Sequence, residues 1–362
     1  MPIVSDKTST LAPAESPVPA QTDDLPRRVG IREVADHAGV AIASVSRVLS
    51  NHPDVSGKMR DRVLAAISEL GYQPDFLAKS LRTGSTMMVG IVVTDICNPM
   101  MAQIVHAAEV RLRQGGYTSL VVSSLNDPEL EVEHLEMLRQ RRVDGIMISV
   151  SNEESAESAR RLGMFSAPVV LLDRDVPGME KGWAVKFDHV SGLLHGVDYL
   201  LGLGHRNIAL INGNPRIRPA RERVIALSRA CAKRPDVNVE VRAGEFATEH
   251  GYHTTIELMS GLNPPTALIS GNNQILVGVM EALRKLRISV PDDVSLITCD
   301  DVPMAAFLKP RLATIRRDVE EMGRLSADFM LRAMAKQSPQ TITLSTVFDP
   351  AESCGVPRGG NR

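Results

Sequence analysis

No stretch of this 362-residue chain approaches the roughly 20 apolar residues that a bilayer-spanning helix needs, and the opening MPIVSDKTSTLAPAESPVPAQTDDLPRR has no apolar signal-peptide core. Neither membrane insertion nor export is expected, which points to the cytoplasm. Cysteine is sparse. Cys97, Cys231, Cys299 and Cys354 are scattered without CxxC spacing or a nearby Cys/His cluster, which argues against a disulfide framework and a zinc site. Catalytic signatures are missing as well: VGIVVTDIC carries no GxGxxG or P-loop pattern, and His189, His195, His205, His250 and His253 fall in no HExxH or Ser/His/Asp motif. The expectation is a protein that binds rather than catalyses, with no cofactor and no metal. A formal net charge of −2 speaks against a wholly basic nucleic-acid coat, yet residues 27–85 hold nine Lys/Arg against six Asp/Glu. A modest basic module therefore sits near the N-terminus of an otherwise acidic chain.

Residues 1–28 form the first segment, and most of it is rich in Pro, Ala, Ser and Thr and poor in large apolar residues. It cannot offset its ordering entropy by burial, so a disordered tail is expected. Residues 29–75 read as three short helices. Ile31, Val34, Ala35 and Ala38 recur at helical spacing, Gly39 permits a turn, and Val45, Val48 and Leu49 give the second helix its inward face. Ser56 caps a third helix with Met59, Val63, Ile67 and Leu70 on one side and Gly71 as its stop. Residues 76–85 then form a linker with about two helical turns, too short to be stable alone.

From Met87 onward short apolar runs alternate with amphipathic ones: MMVGIVVT, YTSLVVS, VDGIMISV and PVVLLD in one series, NIALIN, TALIS and VSLITC in another. Two α/β lobes with parallel sheets are predicted, spanning residues 86–350. The first lobe takes 86–187 plus 317–338 and the second 188–316 plus 339–350. A flexible C-terminal tail is expected over 351–362. The helix Val319–Ala335 and the strand TITLSTV fit either lobe on local pattern alone.

The stretch IREVADHAGVAIASVSRVLSNHPDVSGKMRDRVLAAISELGYQPDFLAKSLRTGST resembles the helix-turn-helix headpiece and hinge of the LacI/GalR family of bacterial transcription regulators. Further motifs, VGIVVTDICNP, RRVDGIMIS, PVVLLDRDVPG, LGLGHRNIALING and VPDDVSLITCDDVP, follow in that family's order, so the resemblance covers about residues 29–350. It implies a periplasmic-binding-protein-like core of two Rossmann-like lobes. It also implies a cytoplasmic homodimeric repressor, bound to a near-palindromic operator and controlled by a small sugar-like effector. A solute-binding receptor without a DNA role is the alternative that shares the core; the attached headpiece counts against it.

By this resemblance Ile42, Ala43, Ser44, Arg47 and Ser50 face the major groove, where Arg47 can read guanine through two hydrogen bonds. In the hinge, Ala78, Lys79, Leu81 and Arg82 meet the minor groove, with Leu81 as the wedge between base steps. Ala41 departs from the family's usual Ser, which removes a cap from the recognition helix, and Asp54 is an unfavourable charge near phosphate. In the core, Arg223, Asn272 and Asp300 occupy effector-holding positions, supported by Phe246, Asp95 and Asp173. Met100, Met101, Cys299 and Asn273 depart from common members, which leaves the ligand's identity open.

Overall fold

Three helices with small apolar faces cannot be stable singly, so the first compact unit, within residues 1–79, joins them around one core. In the computed structural model, which describes residues 29–50, 52–73, 80, 84–232, 234–300 and 307–358, helix α1 (Ile31–Ala38) buries Val34, Ala35 and Ala38. Gly39 ends it in the left-handed region at φ 59°, a conformation that costs glycine no Cβ clash. Helix α2 (Ile42–Leu49) adds Val45 and Val48, and α3 (Gly57–Leu70) adds Val63 and Ala66. The Ser56 side chain accepts from the Met59 amide to start α3, and Gly71 at φ 60° closes it.

Helix α2 starts without a side-chain cap, because Ala41 has none to offer although its extended backbone (φ −70°, ψ 150°) suits the role. Ala41→Ser is therefore expected to stabilise this unit by about 1 kcal/mol, its hydroxyl accepting from the amide of Ala43 or Ser44. Denaturant unfolding of the headpiece transition checks this; an unchanged midpoint would show that the helix start gains nothing from a cap.

The second unit, residues 80–362, contains two sheets. The first lobe holds β1 (Met88–Val93), β2 (Thr118–Ser123), β3 (Gly145–Ile148), β4 (Val169–Leu172), β5 (Trp183–Phe187) and β11 (Thr341–Leu344), in the parallel order β11-β5-β4-β3-β1-β2. The second holds β6 (Asn207–Asn212), β7 (Asn238–Ala243), β8 (Ala267–Ser270), β9 (Ser295–Thr298), β10 (Ala313–Arg317) and β12 (Thr346–Asp349), in the order β12-β10-β9-β8-β6-β7 with β12 antiparallel. Strands such as GIMI, VVLL and ALIS are continuous apolar runs because helices cover both faces of a parallel sheet.

In the first lobe these helices are α4 (Pro99–Gln114), α5 (Pro128–Gln140), α6 (Ala156–Gly163) and α11 (Val319–Met334). In the second they are α7 (His189–Gly202), α8 (Arg218–Cys231), α9 (Thr248–Met259) and α10 (Asn273–Leu286). Helix α11 lies so close to α4 that a Cβ on Gly323 would sit 2.3 Å from the Ile104 carbonyl oxygen.

Two expected boundaries change. TITLSTV splits at Ser345: β11 pairs with β5 in the first lobe, while β12 pairs with β10 in the second, so residues 339–350 do not all belong to the second lobe. The hydroxyl of Thr346 holds this crossing by donating to the Asp188 carbonyl and accepting from the Gly192 amide at 3.1 Å. Nor are residues 351–358 a flexible tail. Ser353 is fully buried, its carbonyl accepts from Leu296 at 2.9 Å, and the Gly355 carbonyl accepts from the His205 ring at 2.9 Å. Hydrogen bonds to β9 and to loops of the second lobe order this segment.

Candidate functional site

In the first unit, α2 presents two chemically different faces. Val45 and Val48 point into the core, whereas Ile42, Ala43, Arg47 and Ser50 are exposed and Ser44 is half-buried. Ile42 is 42% exposed at the first position of the helix, where an apolar side chain gains nothing from solvent. The Ser50 hydroxyl donates to the Arg47 carbonyl at 3.2 Å and so packs against the helix end. Asp54 is exposed in the loop that follows. The expected hinge residues Ala78, Lys79, Leu81 and Arg82 lie outside the described residues.

In the second unit a cavity of about 50 Å³ lies between the two lobes. It sits beyond the carboxyl ends of the strands, the general location for ligands in open α/β sheets. Asp300 follows β9, Asn272 follows β8, Phe246 follows β7 and Asp173 follows β4, while Arg223 projects from the first turns of α8; all five line the cavity. The Phe246 ring covers Gly213, where a Cβ would come within 2.1 Å of it, so glycine is needed for the ring to lie there.

Asp300 is 2% exposed and forms an ion pair with Arg317, and its Oδ2 accepts from the Asn273 amide at 3.1 Å. Asn272 caps α10 by accepting from the Ile275 amide at 2.8 Å, which fixes its side chain at the cavity edge. The Arg223 guanidinium lies over the Phe246 ring at 5.8 Å. Its Nη1 is buried and has no hydrogen-bond partner among the described residues.

Asp173 adopts φ 54°, an uncommon conformation for a residue with a side chain. Its carboxylate accepts from the Phe187 amide at 3.0 Å, Arg218 Nη1 at 3.0 Å and His189 Nε2 at 2.8 Å. Burial raises its pKa, but His189, Arg174 and Arg218 outweigh that and hold the group below the usual carboxylate range. Since a carboxylate only accepts, His189 Nε2 carries the proton. Burial pushes the His189 pKa down to about 4, against the opposing pull of Asp173.

Below pH 6.5 the unfolded chain binds a proton at His189 that the native protein does not, so stability falls between pH 6.5 and about 4 and is retained above that window. The loss from this one group is roughly 3 kcal/mol when complete. Denaturant midpoints across that range should fall less steeply in His189→Gln, and an NMR titration should keep the ring neutral to about pH 4. A midpoint near 6.5 in the folded protein would contradict it.

Asp95 is the expected residue that the structure leaves out of the cavity wall. Its Oδ1 accepts from the Cys97 amide at 2.8 Å and its Oδ2 from Gln274 Nε2 at 2.9 Å, so it ties the lobes together at the cleft's rim. Other bonds also cross the cleft. Asn273 Nδ2 donates to Asn98 Oδ1 at 2.8 Å, and Glu153 Oε1 accepts from the Arg218 amide at 2.8 Å. Asn98, Arg174, Phe187, Gln274 and Arg317 line the cavity although the sequence reading did not single them out. Arg317 ends β10, and strand ends facing a cleft are where ligand-facing polar groups gather, but no strand was expected over these residues. Its guanidinium is buried over the Phe187 ring at 5.2 Å, and burial followed by the neighbouring Arg223 charge lowers its pKa to about 10.

A three-helix unit whose second helix leaves Ile42, Ala43 and Arg47 in solvent, followed by a two-lobed core around a buried cavity, defines a ligand-responsive DNA-binding regulator. Residues 30–75 match the family profile of bacterial regulatory proteins of the lacI family, and residues 197–354 match a periplasmic binding protein-like domain. The chain is 31% identical over 325 residues to the ribose operon repressor of Escherichia coli (strain K12), covering 86% of this chain and 94% of that protein. It is 32% identical over 305 residues to the HTH-type transcriptional repressor PurR of Haemophilus influenzae (strain PittEE), covering 83% and 90% respectively. A crystal structure of the lac repressor dimer bound to operator and the anti-inducer ONPF superposes with a TM-score of 0.81 at 26% identity, over 91% of this chain and all of that one. The chain belongs to the lacI family of bacterial regulatory proteins.

Proposed function

We propose that this protein represses transcription by binding a near-palindromic operator as a homodimer, and that a sugar-like effector in the interlobe cavity sets its operator affinity. The carrying observation is the cavity itself. Arg223, Asn272 and Asp300 meet there beneath Phe246, buried together at a cleft that bonds from both lobes hold shut. Arg47, Ile42 and Ala43, with Ser44 and Ser50 beside them, read the major groove, and a dimer's two-fold symmetry is matched by the two half-sites of the operator. Ala78, Lys79, Leu81 and Arg82 contact the minor groove, with Leu81 as its wedge.

The protein works in the cytoplasm and binds its effector without transforming it. Among the described residues no helix is long and apolar enough to cross a membrane, and no group of His, Cys, Asp and Glu is placed to hold a metal. Footprinting of purified protein on the DNA around its own coding region tests the reading. A protected site with two symmetric halves, resistant to competitor DNA at physiological salt, is the expected result. Binding that is sequence-independent and vanishes with salt would refute the operator assignment.

A further inference from the structure

Among the described residues that line the cavity one buried guanidinium has no carboxylate partner, and that says what kind of ligand completes it. Two carboxylates line the cavity, and both are committed. Asp300 is paired with Arg317 and accepts from the Asn273 amide, while Asp173 is shared among Arg218, His189 and the Phe187 amide. Arg174 donates to the carbonyl oxygens of Val150 and Asp173 at 2.8 and 2.9 Å. That leaves Arg223, which is 2% exposed and has no carboxylate partner among the described residues. It lies over the face of Phe246 and beside the Cys299 sulfur, and its buried Nη1 has no acceptor among the described residues.

Arg223 and Arg317 thus both lie close to Cys299, and among the described lining residues the one carboxylate paired with either is Asp300, on Arg317. Burial raises the Cys299 thiol pKa, so it stays protonated and supplies no second charge. The depressed pKa of Arg317, for which burial and then Arg223 are responsible, is the electrostatic imprint of the same crowding. A neutral hydroxyl would satisfy the hydrogen bond of Arg223 Nη1 and leave the excess charge in place. A carboxylate or phosphate oxygen would satisfy both, and planar guanidinium groups match such oxygens in geometry. Met100, Met101, Ile104 and Met322 supply apolar wall, which excludes water and lengthens the reach of the uncompensated charge.

We infer that the effector is an anion, a small polyol bearing a carboxylate or a phosphate, whose charged group is taken by Arg223 and Arg317 while its hydroxyls face Asp300 and Asn272. This rests on the reading of the cavity as the effector site and narrows it from sugar-like molecules to their acids and phosphate esters.

The test compares matched pairs by thermal unfolding of the full chain at constant ionic strength: D-gluconate against D-glucose, ribose 5-phosphate against ribose, and inorganic phosphate against chloride. The expected result is a larger upward shift from the charged member of at least one pair. Selectivity for the carboxylate or for the phosphate arm identifies which anionic group the site takes. Arg317→Gln, with folding verified by circular dichroism and a cooperative unfolding transition, should reduce the charged-over-neutral preference about tenfold. Arg317→Lys should keep part of it. Neutral sugars that stabilise as well as their charged partners would overturn the inference, as would charged probes, phosphate included, that do no more than chloride. A preference unaltered in Arg317→Gln would overturn it too. A neutral sugar that also shifts operator affinity would defeat only the anion assignment. Operator binding that no cavity ligand changes would defeat the effector reading beneath it.

Discussion

Asp300→Ala should cost the second unit about 3–5 kcal/mol of stability and abolish the response of operator binding to effector. The stability loss has a specific origin. The carboxylate is the counter-charge of a buried guanidinium, and removing one member of a buried pair strands the other, which is far more damaging than replacing both. Here Arg317 would lose its ion-pair partner while the Arg223 charge stays beside it, and the first amide of α10 would lose its acceptor. For a unit of this size the melting temperature should fall on the order of 10 °C. The double variant Asp300→Asn, Arg317→Gln removes both charges and keeps approximate shape, so it should recover most of the stability while the effector response remains lost. Calorimetry and operator binding on the three proteins separate these effects. A melting temperature in Asp300→Ala within a degree or two of wild type would show that the ion pair contributes little, and intact effector control would remove Asp300 from the site.

Arg47→Ala should leave the fold intact and remove much of the operator's advantage over other DNA. Arg47 is exposed on α2, whose buried side is formed by Val45 and Val48, so truncating it opens no cavity. A bidentate arginine–guanine contact discriminates by roughly 1–3 kcal/mol, and a symmetric dimer loses it in both half-sites, so the combined loss is roughly 2–6 kcal/mol. Non-specific affinity should change much less. Binding curves for operator and scrambled DNA over a range of salt concentrations measure the ratio directly. A parallel loss on both DNAs would reassign Arg47 to the phosphates.

The headpiece was readable in detail because every device that shapes it is local: Val34, Ala35, Val45 and Val48 at helical spacing, Ser56 before α3, and glycines at the two left-handed helix ends. The two lobes were readable because strands buried on both faces must be apolar runs. Edge strands were harder to place. Thr341–Leu344 and Thr346–Asp349 have similar local patterns, and tertiary pairing with β5 or β10 decides which sheet each joins. The cavity was legible in part. Arg223, Asn272 and Asp300 were legible through the family resemblance, since locally they read as an ion-pairing arginine, a helix cap and a strand-end turn. Arg317, however, reads locally as one more charge in IRRD, and its burial depends on Asp300 and Phe187. Asp95 reads as a ligand-facing acid until Gln274 of the opposite lobe is seen to occupy it.

The division of TITLSTV between the two sheets also governs the order in which the molecule can mature on the ribosome. A chain made at about 5–20 residues per second presents its N-terminal segments first, and domains generally fold as units once complete. The headpiece is contiguous and can fold as soon as it emerges. The first lobe is begun next and finished almost last, because α11 and the sheet-edge strand β11 are synthesised after most of the second lobe. Until then β5 has an open edge and α4 an uncovered flank where α11 will pack. A nascent chain therefore carries a finished DNA-reading module well before the receptor that controls it, and a chain truncated before Thr341 loses an edge strand from both lobes at once.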